Sequence, residues 1–316
     1  MQNTELRPLG AGEMLDRAIT LYVRRFAAIV AVLAVISVPI VLLQAILTPH
    51  AGQVFSDMWR LIGAAGNSAA SREAADAMTR DNQSGAATMV LVLVSSVLRI
   101  LMWCALVTVL AAAYAGGRTS FGEAYGFALR RWLPMLLVSL AFLVLGGFAA
   151  IPIFILYLLV ALAVVVFAAL HQTIAMIVVG VAGGLLVIAF ACVAGSLVFM
   201  AYELSAVALM TETSKAGEAI GIGLRRAFAP GMKRRTLVAG LVVLLVSQAG
   251  ALPLIGIAAV LTTMTHIDAF YFAILGVGGV LLDGIVAAFV VVYAFDVRVR
   301  REGYDLALHE TPPAPA

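Results

Sequence analysis

The chain has 316 residues, 63% of them hydrophobic and 12% charged, whereas an ordinary soluble protein is about half apolar and a quarter charged. A soluble core cannot take up that much apolar surface, and the apolar residues come in runs of eighteen and more, long enough to cross a hydrocarbon core about 30 Å thick. The net charge of +3 is small, and the basic residues flank apolar runs without any base-stacking or groove-reading motif, which excludes nucleic acid as a partner.

The first element begins near Leu9. Met14, Leu15, Ala18, Ile19 and Tyr22 recur there at helical spacing, opposite Glu13, Asp16, Arg17 and Arg24, the pattern of a helix lying along a membrane surface. The first crossing runs from Phe26 to Leu47. It follows a charged helix and lacks a small-residue cleavage site, so the N-terminus is expected to be retained. A polar loop, residues 48–87, comes next, with amphipathic stretches at Val54–Ile62 and Ser68–Met78. The second crossing spans about Thr88 to Tyr114.

Ser120-x-x-Glu123 is a capping box that opens a second interfacial helix, whose apolar face carries Phe121, Ala124, Tyr125, Ala128 and Trp132. From Leu133 to Met210 the sequence is almost unbroken apolar, interrupted mainly by Gly146-Gly147, Pro152, His171-Gln172 and Gly183-Gly184. Three crossings would suit that length but would place the basic residues from Lys215 to Arg235 outside, so two are expected. A helix from Leu133 to Leu170 would be about 57 Å long, which calls for a kink, a strong tilt or a re-entrant portion. The last unit has an interfacial helix near Ser214–Phe228, a crossing near Thr236–Thr265, a turn at His266-Ile267-Asp268 and a crossing near Phe270–Phe295. Residues 309–316 are expected to be disordered.

One pattern is written three times. Gly12-Glu13 precedes Arg24-Arg25, Gly122-Glu123 precedes Arg130-Arg131, and Gly217-Glu218 precedes Arg225-Arg226. From Glu to the first Arg the spacing is seven residues in the second and third copies and eleven in the first, a difference of about one helical turn that keeps the charges near one face. Each copy then enters an apolar run containing Pro39, Pro152 or Pro253, and a second run ending near Tyr114, Tyr202 or Tyr293, placed as interfacial aromatics. The chain therefore reads as one integral membrane domain, residues 1–308, built of pseudo-repeats at about 9–115, 119–210 and 214–300. Sixteen basic residues lie at the ends of these repeats, in four clusters: Arg7 to Arg25, Arg118 to Arg131, Lys215 to Arg235, and Arg298 to Arg301. By the positive-inside rule they face the cytoplasm and the 48–87 loop lies outside.

The paired arginines and their glutamates, Glu13, Arg24, Arg25, Glu123, Arg130, Arg131, Glu218, Arg225 and Arg226, are candidates for gripping anionic lipid head groups or a cytoplasmic protein partner. The same residues also complement helix dipoles and set topology, and that structural reading carries more weight. Arg99 lies within Val90–Ala113, about 22 Å along the helix from Tyr114. A charge at that depth costs about 2.5–3.5 kcal/mol and is expected to face the bundle and find a partner. Asp283 matches it in depth, and a packing brace is favoured over a substrate or proton site. Glu203, beside Tyr202, is read as interfacial. Cys104 and Cys192 lie inside apolar runs as small hydrophobes. The four histidines have no metal-ligand spacing, no phosphate loop or nucleophile elbow is present, and no cofactor is implied.

Two segments carry a family resemblance. The opening Leu6-Arg7-Pro8-Leu9-Gly10-Ala11-Gly12-Glu13-Met14-Leu15-Asp16-Arg17-Ala18, with Leu21-Tyr22 and Arg24-Arg25-Phe26, resembles the bacterial glycerophosphoryl diester phosphodiesterase membrane-domain family. The ending from Tyr293 to Leu306 looks like that family's closing signature, and the middle Glu218–Arg226 segment also matches. The resemblance implies a bacterial inner-membrane location and an all-α membrane fold, not hydrolysis, because the catalytic residues of the phosphodiesterase domain have no counterparts. The expectation is an all-α protein with about six transmembrane helices in three pseudo-repeats, each led by a cytoplasmic interfacial amphipathic helix. A non-enzymatic scaffold or regulatory component in contact with lipids or a partner complex is the first functional reading. A transporter or lipid translocator using Arg99 and Asp283 is the second, and a membrane enzyme acting on lipids the third. The sequence leaves the oligomeric state open.

Overall fold

Lipid offers no water to satisfy bare backbone groups, so apolar segments cross it as helices that bond internally. The computed structural model describes residues 8–47, 85–265, 267 and 269–303, and shows eight helices and no strand among them. In order these are α1 (Ala11–Arg24), α2 (Phe26–Leu47), α3 (Gly85–Tyr114), α4 (Phe121–Ala169), α5 (Thr173–Thr211), α6 (Ala216–Phe228), α7 (Lys233–Thr265) and α8 (Ala269–Glu302). All except α1 and α6 are long and apolar enough to cross a bilayer, which gives the six expected crossings. The protein is an all-helical, multi-pass membrane protein. Most of the polar loop with both its amphipathic stretches, His266, Asp268 and the 309–316 tail lie outside the described residues.

The three amphipathic leaders are not built alike. Arg25 alone separates α1 from α2, and Ala229–Met232 separate α6 from α7, with Gly231 at φ +80°. The middle leader is not a separate element. It continues into the crossing as the 49-residue α4, about 73 Å long at 1.5 Å per residue. Where the third copy has Pro230-Gly231 to end the helix, the second has Trp132-Leu133 followed by Pro134, which the helix absorbs. Nor does a re-entrant break occur at Gly146-Gly147 or Pro152. α4 runs to Ala169 and turns at Leu170–Gln172, where His171 takes φ +55°.

The helices gather into two compact units that cut across the sequence repeats. One unit comprises Met1–Met14, Leu133–Leu245 and Val290–Ala316. Its buried side chains include Met135, Met200, Leu204, Leu209 and Tyr293. Here α6 packs backbone to backbone on α5: a Cβ on Gly223 would lie 2.7 Å from the Ala201 carbonyl oxygen and the Ser205 amide nitrogen, so no larger residue fits. Ser139 and Tyr202 join α4 to α5 through a 3.2 Å hydrogen bond beside an apolar groove of 480 Å³.

The other unit comprises Leu15–Trp132 and Val246–Phe289. Ile29, Val32, Leu33, Leu106 and Leu110 are buried in it. The Tyr125 hydroxyl donates to the Val32 carbonyl across 2.7 Å, and the Ser37 hydroxyl meets the Met102 sulfur at 3.4 Å. Gly284 of α8 lets Tyr22 and Ile29 close in. A Cβ there would sit 2.7 and 2.8 Å from their side chains. On α1, Met14, Ala18, Leu21 and Tyr22 form the buried stripe while Ile19 is exposed. The helix thus turns one apolar face into protein rather than offering all of it to lipid.

Candidate functional site

Charge is concentrated at the ends of α5, α6 and α8 in the first unit. Gly223 brings α6 onto α5, and Arg226, three residues later on the same helix face, is carried to Glu212 just beyond the end of α5. The Arg226 guanidinium donates to both Glu212 carboxylate oxygens at 2.7 Å and to both Glu302 oxygens at 2.7–2.9 Å. Its side chain is only 5% exposed. Arg298 lies beside the same acids, with Nε 3.6 Å from Glu212 and 3.9 Å from Glu302. Two carboxylates and two guanidiniums therefore form one network. Burial alone would lower the Arg226 pKa, but the hydrogen bonds and charges of Glu212 and Glu302 outweigh it and hold the pKa above its ordinary value.

A second cluster fixes the segment leading into α1. The Leu9 amide donates to Asp296 at 2.7 Å, and its carbonyl accepts from Arg235 at 2.9 Å and from Arg300 at 2.7 Å. Arg300 also grips both Asp296 oxygens, at 2.9 and 3.0 Å. One turn deeper, the hydroxyls of Thr236 and Tyr293 share a 2.8 Å hydrogen bond that ties α7 to α8. Two cavities open beside these clusters. One of 370 Å³ is lined by Glu212, Ile222, Arg225, Arg226, Arg301 and Glu302, and one of 660 Å³ includes Arg235, Arg300 and Arg301.

The residues singled out in the sequence do not converge on one site. In each arginine pair the first member is exposed (Arg24, Arg130, Arg225), while the second is drawn inward: Arg25 and Arg131 are half-buried and Arg226 is buried. Arg25 donates to the Gly117 carbonyl at 3.3 Å, Arg131 lies 4.5 Å over the Phe127 ring, and Arg226 enters the network above. Glu123 forms the expected capping box: the Ser120 amide donates to its carboxylate at 2.8 Å and its own amide donates to the Ser120 hydroxyl at 3.3 Å. Glu218 accepts from Thr213 and Lys215, which lower its pKa. Glu13 is half-buried at the start of α1.

Arg99 and Asp283 both belong to the second unit. Arg99 is exposed on α3 and Asp283 half-buried on α8. The arginine attracts the carboxylate electrostatically, yet no ion pair within 4 Å joins the two among the described residues. Tyr293 and Tyr114, read as interfacial aromatics, are 0% and 7% exposed, and Glu203, read as interfacial, is 2% exposed, so all three side chains are packed against protein.

Sequence reasoning missed Glu212, Asp296, Arg298, Glu302 and the Leu9 backbone as parts of these two clusters. Signals existed: Asp296/Arg300 and Arg298/Glu302 are i,i+4 pairs. Glu212 caps the negative end of a helix, where a carboxylate is disfavoured unless a cation meets it. Chemically, the clusters can clamp helices and recognise anions. A guanidinium does not deprotonate to act as a base, and these carboxylates are already held by arginines. Among the described residues no group of three His, Cys, Asp or Glu could hold a metal ion. Comparison of the chain with family models, curated proteins and solved structures gives no match.

Proposed function

We propose that the chain is a non-enzymatic scaffold or regulatory component of the bacterial cytoplasmic membrane, with both termini inside, holding anionic lipids or a partner complex against an arginine-rich face. The observation that carries this reading is the division of labour within the arginine pairs. The inward members brace the fold, through Arg226 above all, and Arg24, Arg130 and Arg225 stay exposed. The likeness of the two chain ends to the glycerophosphoryl diester phosphodiesterase membrane-domain family supports membrane location and fold and contributes nothing to an activity. The test is mass spectrometry of lipids and proteins co-purified from native membranes with the wild type and with an Arg24→Gln, Arg130→Gln, Arg225→Gln triple variant. The scaffold reading expects a retained lipid class or soluble partner that the triple variant loses. An unchanged co-purified set contradicts it.

A transport reading draws on the attraction between Arg99 and Asp283 within apolar helices. It expects solute or lipid movement in proteoliposomes that Asp283→Asn abolishes. Movement of that kind would displace the scaffold reading.

A further inference from the structure

The 660 Å³ pocket of the first unit differs from its smaller neighbour in one respect. The neighbour contains Glu212 and Glu302, whereas the larger pocket is lined by Arg235, Arg300 and Arg301, with Pro8, Gly231 and Met232, and, among the described residues, by no carboxylate. Two of the three guanidiniums are fixed in place. Arg235 and Arg300 both donate to the single carbonyl oxygen of Leu9, at 2.9 and 2.7 Å. Two like charges are thereby held side by side on one neutral acceptor, and the nearby acid Asp296 is already gripped by Arg300. The third, Arg301, is exposed and has no ion pair or hydrogen bond among the described residues.

The backbone adds to the imbalance. α7 begins Lys233-Arg234-Arg235 with no acid in its first turn, so three cations crowd the positive end of a 33-residue helix, where the dipole favours an anion. By contrast α1 and α6 follow the favourable order, with Glu13 and Glu218 in their first turns and basic residues in their last. Surplus positive charge, a concave site and planar fork donors are the requirements for a phosphate group.

We propose that this pocket binds a phosphate-bearing anion, carried either by an acidic phospholipid head group or by a small soluble phosphate. The proposal rests on the scaffold reading and names the ligand class of its arginine-rich face. The pocket lies where two membrane-crossing helices end, α7 at its start and α8 at its finish, and exposed apolar Val238 follows within two turns along α7. That level is the one at which head groups reside, so the lipid is the source the geometry favours.

The experiment titrates the full chain, purified in detergent and delipidated, with phosphatidylglycerol or phosphatidylcholine, and reads bound lipid by native mass spectrometry. A parallel arm follows thermal unfolding with inorganic phosphate. The expected result is selective retention of phosphatidylglycerol, weakened about fivefold by Arg301→Gln and unaffected by Arg118→Gln, an exposed arginine of the other unit. Should inorganic phosphate stabilise the wild type but not Arg301→Gln, with no lipid selectivity, the site stands and its ligand is the soluble anion. Indifference of Arg301→Gln to both ligands, or an equal loss in Arg118→Gln, overturns the site. That failure leaves the scaffold reading intact, because the latter is decided by co-purification and by the absence of solute movement.

Discussion

Arg226 meets two carboxylates with a side chain that is 5% exposed, and its partners differ: Glu212 is 18% exposed and Glu302 43%. Removing one member of a buried pair leaves the other charge uncompensated, at a cost of about 3–5 kcal/mol, whereas exposed pairs contribute about 0–1 kcal/mol. Arg226→Ala is therefore expected to destabilise the protein by about 3–5 kcal/mol and Glu302→Gln by about 1 kcal/mol or less, read from reversible unfolding in mixed detergent micelles. Equal losses would show that the network does not discriminate by burial. Glu218 supports a pH prediction. Its hydrogen bonds from Thr213 and Lys215, with the Lys215 charge, lower its pKa, so its contribution is complete above the ordinary glutamate range and fades as pH falls through the lowered value. Amide exchange at Lys215, whose N–H bonds to Thr213, is expected to quicken below that range and to be pH-insensitive in this sense in Glu218→Gln.

At the scale of helices, Gly223 does for α6 what no charge can: it allows backbone contact with α5, and the ion pair at Arg226 follows from that approach. Gly223→Val forces a side chain into Ala201 and Ser205, and overpacking of this kind costs about 1–3 kcal/mol. Arg226 should become accessible as α6 lifts, which hydrogen exchange along Ala216–Phe228 would report as a local increase, with α3 unaffected. The existence and type of these elements were legible because long apolar runs and capping residues are local signals. The Ser120–Glu123 box and the six crossings are examples. The join of the second leader to α4 was not legible, because proline is read as a break and membrane helices absorb it. The clusters around Arg226 and around Leu9 were hidden for a different reason. Their members lie up to 291 residues apart in sequence, as between Leu9 and Arg300, and only tertiary packing brings them together. The burial of Tyr293 was hidden for the same cause, since an aromatic near a run's end has the same local pattern whether it meets lipid or Thr236.

For the molecule as a whole, the sequence repeats and the packing units describe different things. Each unit draws on all three repeats, so the repeat sets the order of crossings while packing assembles pieces from distant stretches. What unites the account is the parity of the crossings. Six helices long and apolar enough to cross, taken in chain order, are predicted to return the basic ends to one side after every pair. This is tested most directly by thiol accessibility in a background carrying Cys104→Ala and Cys192→Ala, with single cysteines introduced as Arg118→Cys, Lys215→Cys and Ile267→Cys. In intact cells a membrane-impermeant reagent is predicted to label Ile267→Cys and to spare Arg118→Cys and Lys215→Cys until the membrane is opened. Labelling of Lys215→Cys from outside while Arg118→Cys stays protected would mean an odd number of crossings between them, and would contradict the account.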